Sequence, residues 1–204
     1  MITVGREVGP DLVLLPSTHD THQDHHTVSL EAHRAFKKTR MLGYEVPWNN
    51  PKASAQGFAP RGMDVDGNGV VYTVLSSGQL ASFDRRKCKG ALNGPEATGK
   101  QCVEGWTLYT FPGPNFQGAA DNSSVSAESA YYNFVDRFDL LGVGKDIPIA
   151  TGNLSEGLIA LVDGKFLTFR MPYPMGFYAK GLDGRIDDPA AGWKGKGLWS
   201  TYGT

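Results

Sequence analysis

The 204-residue sequence lacks several features that define whole classes of protein. No apolar run approaches the roughly 18 residues that a bilayer-spanning helix needs, and the amino-terminal stretch has no signal-peptide pattern. Neither charge is in excess, since 20 Lys and Arg residues stand against 21 Asp and Glu residues. We therefore expect no membrane span and no binding of nucleic acid through bulk positive charge.

Cysteine is scarce, and this scarcity excludes a disulfide-dense scaffold. The only two cysteines, Cys88 and Cys102, bracket a segment that contains Gly, Pro and Asn. They form either a disulfide in an exported protein or two free thiols in a cytoplasmic one. The sequence leaves both alternatives, and both locations (cytoplasmic, or periplasmic and secreted), equally open.

Histidine is absent after residue 33, so any imidazole chemistry is confined to one short segment. All five histidines lie there: His19, His22, His25, His26 and His33. Asp20 and Asp24 add carboxylates to the same segment. Zinc prefers imidazole nitrogens and also accepts carboxylate oxygens, so the composition favours a zinc site. The alternative is a solvated polar loop that binds metal weakly.

The composition otherwise indicates a folded chain with many turns. Hydrophobic residues make up 40% and charged residues 20% of the sequence, which suits a globular core rather than disorder. The 26 Gly and 12 Pro residues are more than a helical bundle normally contains. The pattern changes near residue 50, which predicts an α/β segment over 1–50, a linker over 51–61 and a mainly antiparallel β region over 62–204.

The first 50 residues have the pattern strand, loop, helix. The apolar run Asp11–Leu15 ends at a proline and predicts a buried strand. Apolar residues at helical spacing then predict a helix over Thr27–Lys38, with basic residues in its last turn. The histidine loop thus follows the carboxyl end of a strand, where open α/β sheets usually bind their ligands.

Beyond the linker, short apolar runs separated by turn residues predict antiparallel strands. The Asp163-Gly164 pair predicts a tight hairpin. The predicted strands are Val70–Leu75, Leu80–Phe83, Trp106–Phe111, Ile147–Ala150, Leu158–Val162 and Lys165–Arg170.

Two further segments of this half have alternatives. Tyr131, Phe134, Val135 and Phe138 recur at helical spacing and predict a helix over Ser126–Leu141. The aromatic residues of that segment, Tyr132 included, are either a ligand-stacking platform or, more often in proteins, core. The stretch Asp64 to Gly69 starts like an EF-hand loop, but Leu75 stands where the bidentate Glu is required, so a turn is predicted there instead.

The stretch from Asp11 to His25, DLVLLPSTHDTHQDH, resembles the late metal motif of the LmbE-like (PIG-L) zinc-dependent N-deacetylases. In that family a D-x-V strand leads into a loop ending H-x-D-H, followed by a helix. The resemblance covers residues 8–50 and implies a Rossmann-like α/β fragment, a zinc cofactor and N-acetylated amino sugars as substrate. It implies that His25 and Asp20 are metal ligands and that His22 and Asp24 are catalytic.

The implied chemistry is amide hydrolysis. Zinc activates a water molecule, a carboxylate takes the proton of that water, and an imidazole stabilises the oxyanion. The family's first motif, a His-Pro-Asp-Asp run that supplies two ligands and the base, has no counterpart in Met1–Pro10. We therefore expect this segment to be incomplete as a catalyst by itself.

Residues 57–204 resemble part of a streptogramin-lyase-like β-propeller. The stretch Gly62–Tyr72 (GMDVDGNGVVY) followed by Gly78–Asp84 (GQLASFD) has the D-x-x-G-x-V-x-Y and G-x-L-x-x-F-D pattern of such blades, and Gly157–Phe169 is a weaker copy. The resemblance implies two or three blades of an incomplete propeller-like region. Uncovered sheet edges lead us to expect self-association or a partner chain.

Two functions follow from these patterns. The first is a metal-binding segment of a zinc-dependent N-deacetylase joined to a propeller-like β region. The alternative is a non-enzymatic binding or structural module in which the histidine loop is vestigial.

Overall fold

The computed structural model describes residues 15, 23–36, 43–91, 96, 102–118, 124–185, 189–192 and 194–201. These residues form mainly antiparallel sheets and one α-helix, α1 (Gln23–Ala35). The strands are β1 (Pro60–Val65), β2 (Val71–Leu75), β3 (Gln79–Phe83), β4 (Trp106–Thr110), β5 (Asn133–Asp136), β6 (Ile147–Gly152), β7 (Gly157–Val162), β8 (Lys165–Arg170), β9 (Leu182–Arg185) and β10 (Gly197–Ser200). No helix within the described residues has the length and apolarity that crossing a membrane requires.

Helix α1 begins before the predicted start at Thr27 and ends before Lys38. Asp24 lies in its first turn and Arg34 in its last, where each charge favours the helix dipole. The earlier start places His25 inside the helix rather than in the preceding loop. Of the predicted strand Asp11–Leu15, all but Leu15 lies outside the described residues, so the Rossmann-like fragment stays a prediction.

Strands β1 to β4 form the first sheet, a meander in which each strand pairs antiparallel with the next. β3 is central and buried throughout, as its sequence QLASF permits. Gly78 begins the hairpin between β2 and β3 with a φ of 86°, and a Cβ there would lie 1.9 Å from the Ser126 carbonyl oxygen. Only glycine fits both requirements. The three strands predicted here are confirmed.

Strands β5 to β8 form the second sheet with the same order and the same antiparallel pairing. β7 (GLIALV) is its buried central strand. Asp163 and Gly164, at φ values of 48° and 75°, make the predicted tight turn between β7 and β8. The three strands predicted in this region are also confirmed.

The helix predicted over Ser126–Leu141 is wrong, because this segment contains β5. Asn133 pairs with Ala150, and Phe134 pairs with Ile149 of β6. Phe134 and Val135 point to opposite faces of β5, yet both are buried. Burial on both faces removes the apolar–polar alternation that indicates a strand, so the aromatic spacing resembled a helix by coincidence.

The two sheets pack through their first strands and share one core. β1 lies beside β5, and β5 lies beside β9 of the hairpin β9–β10. The Asp64 carboxylate accepts a hydrogen bond from the Val135 amide at 2.8 Å, which ties β1 to β5. The shared apolar cluster is Val74, Leu80, Phe111, Ala130, Ala150, Ile159 and Leu161.

Successive four-stranded antiparallel meanders packed in this way have the arrangement of propeller blades. The described residues contain two such sheets and one hairpin, and they do not form a closed propeller. The predicted turn after Asp64 is confirmed, since the Asp66 carboxylate accepts hydrogen bonds from the Asn68 and Val70 amides, both at 2.8 Å.

The segment before β1 packs against the first sheet. The Tyr44 ring lies 4.8 Å from the Phe83 ring, and the Phe58 amide donates to the Ser77 hydroxyl at 3.0 Å. β1 begins at Pro60, inside the predicted linker 51–61. The division at 1–50, 51–61 and 62–204 stays a prediction.

Candidate functional site

A threonine donates a hydrogen bond to a backbone carbonyl near the start of the first strand of each sheet and of the hairpin. The threonine lies in the neighbouring strand or directly beside it. The carbonyls belong to Gly62, Tyr132 and Gly181; the donors are the Thr73 hydroxyl (2.7 Å), the Thr151 amide (3.1 Å) and the Thr201 amide (3.0 Å). These contacts indicate that Gly62, Tyr132 and Gly181 are corresponding positions, although the donor is a hydroxyl at Gly62 and a backbone amide at the other two.

The sequence around two of these entries repeats. Residues 57–64 read GFAPRGMD, and residues 176–183 read GFYAKGLD. The aspartates that end the two repeats make the same contact. Asp64 and Asp183 each accept a hydrogen bond, at 2.8 Å, from the backbone amide of the residue that follows. The repeat and the threonine bonds therefore define the same alignment of the two units.

One cluster contains the side chains that lie one position before Gly62, Tyr132 and Gly181. They belong to Arg61, Tyr131 and Lys180. The Arg61 guanidinium carbon lies 4.7 Å from the centre of the Tyr131 ring, and the Lys180 ammonium nitrogen lies 5.5 Å from it. Tyr178 joins them, with its ring centre 6.1 Å from that of Tyr131 in an edge-on arrangement. We call these four residues the entry cluster.

Backbone contacts hold the entry cluster in position. The Tyr131 amide donates to the Thr151 hydroxyl at 3.1 Å. Gly62 has a φ of 55°, and a Cβ there would lie 2.6 Å from the Tyr132 ring. Only glycine lets Tyr132 rest on the backbone at the entry to β1. The two first strands thus approach closely where the cluster forms.

The charges of the cluster change the acidity of its phenols. The hydrogen bond from Tyr178 and the positive charges of Arg61 and Lys180 lower the pKa of Tyr131. The interaction with Tyr131 and partial burial raise the pKa of Tyr178. Arg61, Lys180 and Tyr178 are exposed, so a ligand reaches the cluster from solvent.

This arrangement suits binding. Two cationic groups and two phenols provide hydrogen-bond donors and aromatic surface at one place. Within the described residues, no group of three or more His, Cys, Asp or Glu side chains is arranged to hold a metal ion.

The predicted zinc site is only partly covered by the structure. Asp20 and His22 lie outside the described residues. Asp24 and His25 lie in the first turn of α1, and the Asp24 side chain is exposed. The assignment of His25 and Asp20 as ligands, and of His22 and Asp24 as catalytic residues, stays a prediction. A lower zinc content in His25→Ala than in the wild-type protein would support it, and equal contents would contradict it.

Sequence reasoning missed three members of the entry cluster: Arg61, Tyr178 and Lys180. It named Tyr131 as part of a helix that does not form and, as one of two alternatives, as part of a ligand-stacking platform. The sequence Gly57–Asp64 is repeated at Gly176–Asp183, and this repeat aligns Arg61 with Lys180. The correspondence of these two residues was therefore detectable in the sequence. Tyr131 has no such signal, since its surroundings (SAYYNFVD) share little with the other two entries.

No family model matches the chain, and no curated protein matches it. Among solved structures, a catalytically inactive virginiamycin B lyase from Staphylococcus aureus, crystallised with quinupristin, is similar at 13% identity and a TM-score of 0.36. The matched region covers 62% of this chain and 30% of that chain. None of these comparisons supports the resemblance to N-deacetylases. The chain is thus similar to a segment of a streptogramin lyase over part of its length.

Proposed function

We propose that this chain is a non-enzymatic, propeller-like binding module whose ligand site is the entry cluster. The observation that carries the proposal is the convergence of Arg61, Tyr131 and Lys180, which occupy equivalent positions in three successive units. Side chains at equivalent positions of a repeated fold meet around one point, so the scaffold brings them together without a dedicated loop.

The scaffold beneath the cluster is well suited to hold such a site. Val135 of β5 and Ala150 of the neighbouring β6 are fully buried. Ala179, between Tyr178 and Lys180, is also buried, and its amide donates to the Asn153 side chain at 2.9 Å. Tyr131 and Lys180 each lie two positions before a strand, so the buried sheets restrict the movement of their backbone.

A disulfide between Cys88 and Cys102 supports export of the module. The two Cα atoms are 5.4 Å apart and the bond closes the connection between β3 and β4. Disulfides persist in oxidising compartments and are rare in the cytosol. We therefore favour a periplasmic or extracellular location, to be tested by locating the protein in cell fractions.

The proposed site is tested by titrating isotope-labelled protein with a set of small neutral, anionic and cationic compounds. We expect amide shifts at Arg61–Gly62, Tyr131–Tyr132 and Tyr178–Lys180, and we expect Tyr131→Ala to abolish them. Tyr173→Ala is the matched control, because Tyr173 is 96% exposed. Shifts confined to other regions, or shifts unchanged in Tyr131→Ala, would contradict the proposal.

Self-association stays a prediction of the sequence. β4 and β8 are the last strands of their sheets, and each presents one side without a strand partner among the described residues. Such edges favour pairing with another chain. Sedimentation over a range of concentrations tests this, and a monomer at every concentration would contradict it.

A further inference from the structure

The entry cluster holds two positive charges close to one ring without a balancing carboxylate. Neither Arg61 nor Lys180 forms an ion pair within the part of the chain that the structure describes, whereas Arg34, Arg86 and Arg137 each do. The faces of aromatic rings attract cations, but two cations at one ring also repel each other. An anion between them would remove this repulsion.

We propose that the entry cluster binds an anionic oxygen group, a phosphate or a carboxylate, between the side chains of Arg61 and Lys180, with the Tyr131 hydroxyl as a further donor. This inference rests on the proposed function and specifies the class of its ligand. Arginine contributes a planar set of donors that matches two oxygens at once, and lysine contributes a compact charge.

Backbone geometry supports a fixed position for the arginine. The register of β1 against β2 shifts between Arg61 and Met63, at Gly62. Such a bulge re-aims the neighbouring side chain. Because Gly62 also carries the contact with Tyr132, the same irregularity sets the position of Arg61 relative to the entry of the second sheet.

The Tyr131 hydroxyl is suited to donate to a ligand. The interaction with Tyr178 and the positive charges of Arg61 and Lys180 lower the pKa of Tyr131, and a more acidic hydroxyl is a stronger donor. An anion is the acceptor that gains most from this.

The test is a titration of labelled protein with inorganic phosphate, acetate and glycerol. We expect phosphate and acetate to shift the entry-cluster signals and glycerol to leave them unchanged, with weaker binding at high salt. The anion that binds with the higher affinity identifies the preferred ligand group as a phosphate or a carboxylate. Arg61→Gln and Lys180→Gln should each weaken binding about tenfold, the loss expected for one charge-assisted hydrogen bond.

Lys165→Gln is the matched control, since Lys165 is an exposed cation on β8. Arg61→Lys should restore part of the affinity that Arg61→Gln loses. Amide spectra of each variant establish that it is folded. A second readout is the titration of the Tyr131 ring signal, whose pKa should rise when phosphate binds, because a bound anion disfavours the phenolate.

The outcomes separate this inference from the proposed function. Affinity unchanged in both glutamine variants, or lowered equally in Lys165→Gln, would overturn the anion site. Neutral compounds that shift the cluster where phosphate and acetate do not would also overturn it, while leaving the ligand site itself in place. If no compound shifts the cluster, both proposals are wrong.

Discussion

The two four-stranded sheets have the same topology but stabilise their longest connections by different means. The first sheet closes its longest connection with the Cys88–Cys102 disulfide. The second sheet contains no cysteine and organises its connections around buried carboxylates. The same four-stranded unit can therefore have its long connection held by a disulfide or by a hydrogen-bonded carboxylate, provided that the central strands remain buried.

Asp136 is the clearest example in the second sheet. Its side chain is fully buried, and its two oxygens accept hydrogen bonds from the amides of Phe138 (3.1 Å), Leu140 (2.7 Å) and Leu141 (3.3 Å). A buried carboxylate is costly unless it is paired or hydrogen-bonded. The three amides offset that cost and fix the chain leaving β5.

Glu128 is a second buried carboxylate, and its hydrogen bonds stabilise the turn between β6 and β7. One carboxylate oxygen accepts from the Ser129 amide at 3.0 Å and from the Leu154 amide at 2.8 Å, and the other accepts from the Ser155 hydroxyl. The segment before β5 is thereby joined to the turn after β6. In the first sheet the neutral amide of Gln79 joins segments in a similar way, by donating to the carbonyls of Gln56 and Ser124.

The largest effect should come from Asp136→Ala, which leaves three half-buried amides without their acceptor. We expect a loss of about 4 kcal/mol in the free energy of unfolding, measured by urea denaturation. Asp136→Asn keeps one acceptor oxygen and should lose less. Equal losses in the two variants would show that the hydrogen bonds are not the cause.

Removing the disulfide should have the next largest effect. Cys88→Ala combined with Cys102→Ala opens a loop whose ends are 14 positions apart, and closure of such a loop is worth about 3 kcal/mol. A reducing agent should destabilise the wild-type protein and leave the double variant unchanged. Identical stability of the wild-type protein with and without reductant would contradict the comparison of the two sheets.

Glu128→Gln should cost about 2 kcal/mol, because the amide keeps one acceptor oxygen but loses the charge. Glu156→Gln is the matched control, since the Glu156 side chain is exposed. Urea denaturation of both variants should therefore give a measurable loss for the first and none for the second. A loss of the same size in Glu156→Gln would show that the hydrogen bonds of Glu128 are not the cause of the loss.

The smallest predicted effect is a pH dependence of the free energy of unfolding. It tests the contact between the two sheets at Tyr72, whose carbonyl accepts a hydrogen bond from Asn133. Burial, together with Asp66 and Asp146, raises the pKa of Tyr72 from 10.0 to about 12. A folded-state pKa above the unfolded value means that folding favours the neutral phenol. This stability is fully present below pH 10 and is lost as the pH rises toward 12. Tyr72→Phe should flatten that decline in urea midpoints, and an equally steep decline in the variant would contradict the assignment.

The strands were predictable because their signals are local. Glycine-rich turns and short apolar runs located β2, β3, β4, β6, β7 and β8 to within about two residues. β5 was not predictable in this way, because its two buried faces depend on β1 and β9, which are distant in sequence. The pairing of Cys88 with Cys102 was also left open, since spacing alone does not establish a disulfide.

The amino-acid sequence alone thus determined six of the ten strands that the structure describes, the turns beside them and the histidine-bearing segment, since all of these depend on residues within one element. Only the tertiary structure decided that Arg61, Tyr131 and Lys180 meet, because that contact requires three first strands to lie side by side. The burial of Asp136 was decided in the same way. The physical reason is that burial and electrostatic contact are set by which elements pack together, and those elements come from distant parts of the chain.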